Sequence, residues 1–148
     1  MKSTLYTIQE AIRAKLSEEE TIKEYGVEVY SRKVKDMESE LDNKLAAMGI
    51  AVFVWPPEPK SSRANMPRPC FDASTVRVDI IEKPLFNENE NELNAWTLWE
   101  AAARALHHCD LHIEGVRTLA LAGEPWQDNS TAEVRVFSLV MGTAFSLF

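Results

Sequence analysis

The segment at residues 132–141 and the apolar residues after it constrain the fold most. Its first residues alternate between apolar and polar types, as in a strand with one solvent-exposed face. From Phe137 onward both faces are apolar. A strand that is apolar on both faces has to be covered on both sides. In a domain with one sheet we expect another subunit to cover the second face of this strand. The alternative is that the C-terminal residues of the same chain fold back and cover it. The side chains predicted to need this cover are Phe137, Phe145 and Phe148.

Helical and strand patterns alternate along the rest of the chain. Apolar residues spaced three and four apart predict helices at residues 5–16, 34–48 and 93–106. Alternating or short apolar runs predict strands at the following positions: 27–30, 50–55, 71–82, 116–122 and 132–141. This order favours one α+β domain over residues 1–148, with a single, mainly antiparallel sheet and two to three helices packed on one face.

Local signals predict where several helices begin and end. Ser3 or Thr4 is placed to cap the first helix, and three glutamates at residues 18–20 predict its end because they oppose the helix dipole. Gly49 occupies the position of a C-terminal cap after the second helix.

The segment Asn-Glu-Asn-Glu-Asn-Glu at residues 87–92 predicts the start of the third, alanine-rich helix. Asn89 as N-cap with Glu92 three residues later fits a capping box, and Asn87 with Glu90 fits the same arrangement earlier in the chain. A calcium loop is disfavoured because the glycine and the ligand spacing of an EF-hand are missing.

Two segments lack the signals of regular structure. Residues 60–69 contain Lys60, Arg63 and Arg68, no acidic residue, and several prolines and small polar residues. A loop of this length is either an exposed connection between strands or an element used in binding or assembly. Residues 123–129 are rich in turn-forming residues and predict the connection between the last two strands.

Charge and cysteine content exclude several classes of protein. The 148-residue chain has 16 basic and 23 acidic residues, a net charge of −7, and so lacks the basic face that binding to a phosphate backbone requires. Direct nucleic-acid binding is therefore disfavoured. The first residues lack the apolar stretch of a signal peptide. We therefore expect that the protein is made in the cytoplasm and does not associate with a membrane. Cys70 and Cys109 lie far apart and are expected to be reduced thiols.

The three histidines of the chain fall within six residues, together with a cysteine and an aspartate. His107, His108, Cys109 and His112 are ligand types for a metal, and Cys109 beside a histidine is also a conceivable nucleophile. Adjacent residues of a helix diverge by roughly 100°, however, so this spacing is poor for a shared ion. The first two histidines are also explained as the end of the long helix. We therefore expect no cofactor and no enzymatic activity; a metal-dependent enzyme or metal-binding module using this cluster is the alternative.

The order of elements around three runs of sequence resembles a known family. Val-Arg-Val-Asp-Ile-Ile-Glu at residues 76–82 continues into Lys-Pro-Leu-Phe-Asn, an alanine-rich helix ends in Ala-Leu-His at 105–107, and a closing strand contains Val-Arg-Val-Phe-Ser-Leu at 134–139. This pattern resembles the small bacteriophage tail-completion or tail-terminator proteins, which are minor tail proteins. The resemblance implies a non-enzymatic assembly protein of the virion that forms a homo-oligomeric ring and contacts tail-tube or head-connector proteins.

Interfaces between proteins concentrate their binding energy in Trp, Tyr and Arg side chains. We therefore expect the contacts with other copies, or with tail-tube or connector proteins, at these residues: Trp55, Arg63, Arg68, Trp126, Phe137, Phe145 and Phe148. A further possibility is a binding module that uses the exposed face of the sheet for a peptide or a small ligand.

Overall fold

The computed structural model describes residues 3–31 and 37–147. These residues form one five-stranded sheet with four α-helices and one 3₁₀ helix. The elements in chain order are α1 (Thr4–Ser17), α2 (Glu20–Tyr25), β1 (Val29–Ser31), α3 (Met37–Met48), β2 (Ile50–Val54), β3 (Cys70–Glu82), the 3₁₀ helix (Pro84–Phe86), α4 (Ala95–Leu106), β4 (Ala120–Asp128) and β5 (Arg135–Ser146).

The sheet has the strand order β1-β2-β3-β5-β4. Only β1 and β2 run parallel among the strand pairs of the described residues, and the other three pairs are antiparallel. The central pair is long, since β3 and β5 stay in register from Cys70 opposite Ser146 to Glu82 opposite Arg135, apart from one irregularity. The predicted α+β fold with a mainly antiparallel sheet is therefore confirmed.

One face of the sheet forms the main core beneath α1 and α4, which also contact each other. Side chains paired across β3 and β5 share this face because alternate residues of a strand point to the same side. Each of the following residues on it is at most 3% exposed: Val76, Val78, Ile80, Phe137, Leu139 and Met141.

Phe137 and Phe145 are covered within the single chain. Each of them is only 3% exposed, and the rings of Trp96 and Trp126 lie over Phe137 at centroid distances of 5.2 and 4.5 Å. The prediction that these two phenylalanines need a partner subunit is wrong, because β5 lies inside the sheet. Helix α4 and strand β4 cover Phe137, while Phe145 packs against Phe71 with ring centroids 5.5 Å apart and pairs with Val116. Phe148 lies outside the described residues.

The start of helix α4 differs from the prediction. Its N-cap is Asn94, whose side chain accepts from the Thr97 amide while the Thr97 hydroxyl accepts from the Asn94 amide. Residues 88–93 form turns instead of a first helical turn. The two predicted capping boxes are therefore wrong. The reason lies in Asn87, whose side-chain amide donates to Glu82 and to the carbonyl of Leu93 and so holds this segment in a turn.

Strand β4 also differs from the prediction. Residues 123–129 were expected to form a turn, but Ala120–Asp128 is one strand. Its register with β5 shifts between Leu121 and Trp126, so a bulge absorbs the Gly-Glu-Pro sequence that carried the turn signal. The predicted strand at 116–122 begins later than expected, since Val116 makes only an isolated bridge to Phe145.

The N-terminal helix matches its boundary signals. Ser3 Oγ accepts from the Tyr6 amide, and α1 ends at Ser17, before the glutamates. The short helix α2 was not predicted; its N-cap is Glu19, and it ends at Gly26 in the left-handed conformation. The first residue of the predicted second helix, Val34, lies outside the described residues.

A buried carboxylate ties three elements together at one end of the sheet. Glu82, the last residue of β3, is fully buried. It accepts hydrogen bonds from Asn87 Nδ2 at 2.7 Å, from the Ala95 amide at 3.3 Å and from an Arg135 guanidinium nitrogen at 3.1 Å. The Ala95 amide belongs to the first turn of α4, where the helix dipole favours a negative charge. A charged group that is shielded from water needs such hydrogen-bond partners. Glu82 therefore fixes the positions of β3, β5 and α4 relative to one another.

Replacing Glu82 with Gln tests this arrangement. The amide of the new side chain turns a donor toward groups that are themselves donors, so we expect unfolding free energy to fall by about 2–3 kcal/mol. Urea denaturation at constant m-value measures the loss. The exposed Glu88→Gln variant is the control and should stay within about 0.5 kcal/mol of the parent; equal stability of both variants would contradict the role of Glu82.

Two glycines in the left-handed conformation offer a matched comparison. Gly49 (φ +80°) ends α3, and a Cβ there would lie 2.6 Å from the Cα of Asn87, whereas Gly26 (φ +66°) has nothing within 4 Å. Gly26→Ala should therefore cost only the backbone strain, about 1 kcal/mol. Gly49→Ala should cost about 3 kcal/mol or more, because the backbone of the 3₁₀ segment has to move. Thermal unfolding of the two variants measures the difference, and equal losses would show that the two segments do not pack as described.

Candidate assembly surface

Large apolar side chains are exposed at the end of the sheet where Glu82 lies. Leu85 and Phe86 of the 3₁₀ helix are 95% and 49% exposed, Trp96 in the first turn of α4 is 49% exposed, and Trp126 of β4 is 41% exposed. We call these four residues the apolar end. The rings of Trp96 and Trp126 lie close together, since both contact Phe137, and clustered apolar side chains on a surface mark sites of association.

The aromatic rings of this end are held in place by the core. Phe137 is buried and contacts both Trp96 and Trp126, and Trp99 packs edge-on against Trp126 with centroids 5.2 Å apart. The Arg135 guanidinium lies over the Trp96 ring, 4.6 Å from its centroid. Rings fixed in this way lose little conformational entropy when a partner binds.

The opposite end of the sheet carries the basic loop. Every residue from 60 to 69 is exposed, yet the loop is tied to the start of β3, since the Arg63 amide donates to the Cys70 carbonyl and the Asp72 amide donates to Ser61. Arg63 Nε also pairs with Asp72 at 2.7 Å, and this hydrogen bond raises the pKa of Arg63. Within the described part of the chain Arg68 has no ion pair, so its charge faces solvent uncompensated.

These two ends are far apart. Strand β3 connects them and has 13 residues, which corresponds to about 40 Å at the usual rise of a strand. The structure therefore places Arg63 and Arg68 at one end and Trp126 and Phe137 at the other. The predicted contact residues do not form one patch.

Trp55 belongs to neither end. It follows β2 on the face of the sheet opposite α1 and α4, where its indole nitrogen donates to Asp79 Oδ2 at 2.7 Å. The other Asp79 oxygen accepts from the Ser138 hydroxyl at 2.6 Å. Trp55 is half-buried and packs against Phe53 with ring centroids 4.8 Å apart.

The sequence reasoning missed Leu85, Phe86 and Trp96 as surface residues. Trp96 lies within the helix predicted at residues 93–106, but that helix begins at Ala95, and its fully buried residues include Ala95, Leu98 and Leu106. For Leu85 and Phe86 a signal was present, since they follow Pro84 outside any periodic element.

The structure brings His107 and His108 together, with ring centroids 3.9 Å apart, but Cys109 does not join them. His107 ends α4 and its Nδ1 accepts from the Leu121 amide, while His108 and His112 are exposed and have positive φ angles. Cys109 turns the other way and is 8% exposed in the core. No group of three or more His, Cys, Asp or Glu residues that could hold a metal ion is found in the part of the chain that the structure describes.

No protein-family model matches this chain, and a search of curated proteins finds no match either. Among the helices of residues 3–31 and 37–147, none has both the length and the apolar character needed to cross a membrane.

The two cysteines should differ sharply in reactivity. Both are free thiols, and burial raises the pKa of the Cys109 thiol, which leaves less of the reactive thiolate at neutral pH, while Cys70 is partly exposed. We expect Ellman's reagent to modify Cys70 rapidly and Cys109 roughly a hundredfold more slowly in the folded protein. A Cys70→Ser variant identifies the slow thiol. Rapid reaction of Cys109 in that variant would contradict its burial and revive the nucleophile hypothesis.

Proposed function

We propose that this chain is a non-enzymatic structural protein of a phage or prophage tail, which assembles into a homo-oligomeric ring and contacts tail-tube or head-connector proteins. The observation that carries the proposal is the apolar end, where the half-exposed rings of Trp96 and Trp126 pack against the buried Phe137. Tryptophans in ordered surroundings are typical interface anchors. The resemblance in the order of elements supplies the phage-tail context.

The position of the two ends supports association from head to tail. The apolar end and the loop at residues 60–69 lie at opposite ends of β3. When different surfaces of one subunit meet, the contact is heterologous and repeats until it closes into a ring or continues as a filament. A ring is the outcome that the resemblance implies.

Charge favours the same pairing. The loop at residues 60–69 contains three basic residues, while the exposed residues 88–92 beside the apolar end contain three glutamates. Part of this charge is already compensated, since Lys60 and Arg63 have acidic partners and Glu90 lies 3.6 Å from Arg135. Charge therefore contributes orientation, and the apolar side chains contribute most of the binding energy.

The oligomeric state of the purified protein tests the proposal. Light scattering coupled to size exclusion should show an oligomer at micromolar concentration, and negative-stain images should show rings. Trp96→Gln should weaken association by at least about tenfold, because it removes a ring that is 49% exposed. Since that ring also covers Phe137, the unfolding free energy of the variant is measured beside its assembly. Arg104→Gln, an exposed change in the same helix, is the control and should assemble normally.

A parent protein that stays monomeric at tens of micromolar, alone and mixed with tail-tube subunits, would contradict the proposal. Assembly of the Trp96→Gln variant with unchanged affinity would remove the apolar end as the interface. The circular dichroism of each variant establishes that it is folded before its assembly is compared.

A further inference from the structure

A pocket of about 460 Å³ opens on the face of the sheet opposite α1 and α4. Thr75 and Arg77 of β3 and Val140 of β5 contribute from the sheet, and Gln127 contributes from β4. Trp55 and the two prolines that follow it form an apolar wall, with Glu58 and Lys60 also among the lining residues. Its volume and its mixture of apolar walls with a few polar groups are those of a small-ligand site.

Arg77 is the unusual group in this pocket. Its guanidinium lies over the Trp55 ring, with Cζ 4.5 Å from the ring centroid. Its Nε is enclosed yet makes no hydrogen bond. Nε forms an ion pair with Asp79 Oδ1 at 3.4 Å without making a hydrogen bond, and that oxygen accepts from Ser138. Stacking on Trp55 and the ion pair with Asp79 hold the guanidinium in place, and its enclosed Nε lacks a hydrogen-bond acceptor.

The charges around Arg77 indicate which kind of ligand the pocket can bind. Asp79 lies on the buried side of Arg77, and both of its oxygens accept from neutral donors, Trp55 and Ser138. Lys60 is a second cation of the pocket, paired with the exposed Glu58 at 3.6 Å. The two terminal nitrogens of a planar guanidinium match a carboxylate through two parallel hydrogen bonds.

We propose that this pocket binds a carboxylate attached to an apolar group, with Arg77 holding the carboxylate and Trp55, Pro56 and Pro57 packing against the apolar part. Lys60 adds attraction at the entrance, and Glu58 opposes the ligand. The site is separate from the apolar end and does not depend on assembly of the chain.

The probe for this site is N-acetylphenylalanine, compared with N-acetylphenylalaninamide, which lacks the charge. Nuclear magnetic resonance follows the indole N–H of Trp55, assigned by its loss in Trp55→Phe. We expect the acid to shift this resonance saturably below about 10 mM and the amide to leave it in place. Arg77→Gln should weaken binding at least about tenfold. Arg77→Lys should also weaken it, because an ammonium lacks the planar fork.

Two further variants separate the carboxylate site from general effects. Glu58→Gln should tighten binding, since it removes the competing partner of Lys60, and Arg104→Gln on α4 should leave binding unchanged. Equal binding of the acid and its amide, unchanged affinity in folded Arg77→Gln, or no shift by the acid would each overturn the proposal. Inorganic phosphate is tested as a second probe in the same titration. A larger shift of the Trp55 resonance with phosphate than with the acid would overturn the carboxylate assignment in favour of a phosphate site.

Discussion

The buried carboxylate of Glu82 is the interaction on which the arrangement of this fold depends. It ends the longest strand, accepts from the first turn of α4 and pairs with Arg135 at the start of β5. Each partner comes from a different part of the chain, so the charge is satisfied only when all of them are assembled. Removing one partner of a buried charge lowers the free energy of unfolding by more than the intact pair contributes. Arrangements that leave Glu82 without one of its partners are therefore strongly disfavoured.

That geometry also shapes the surface. Arg135 pairs with Glu82 on one side and stacks on Trp96 on the other. Trp96 in turn covers Phe137, and Phe137 supports Trp126. The exposed aromatic rings of the proposed assembly surface are therefore extensions of the core. A partner that binds them meets a preformed surface, which lowers the entropic cost of association.

Local patterns in the sequence predicted most elements and missed those controlled by distant partners. Ser3 and Gly49 act where their local signals indicate, because a helix cap is satisfied by its immediate neighbours. The cap at Asn94 was missed because Asn87 is drawn to Glu82. The second half of strand β4 was missed because pairing with β5 outweighs the turn preference of Gly123 and Pro125 at a bulge.

The sequence by itself determined the α+β class, the central strands and the exposed basic loop, because periodicity and composition act over a few residues. Only the tertiary structure decided which apolar side chains are buried within the chain and which are exposed. It seals Phe137 and Phe145 within one chain, turns Cys109 away from the histidines, and sets Arg77 over Trp55 beside a pocket. These outcomes depend on strand order and register, which bring together residues far apart in sequence and which no local pattern encodes.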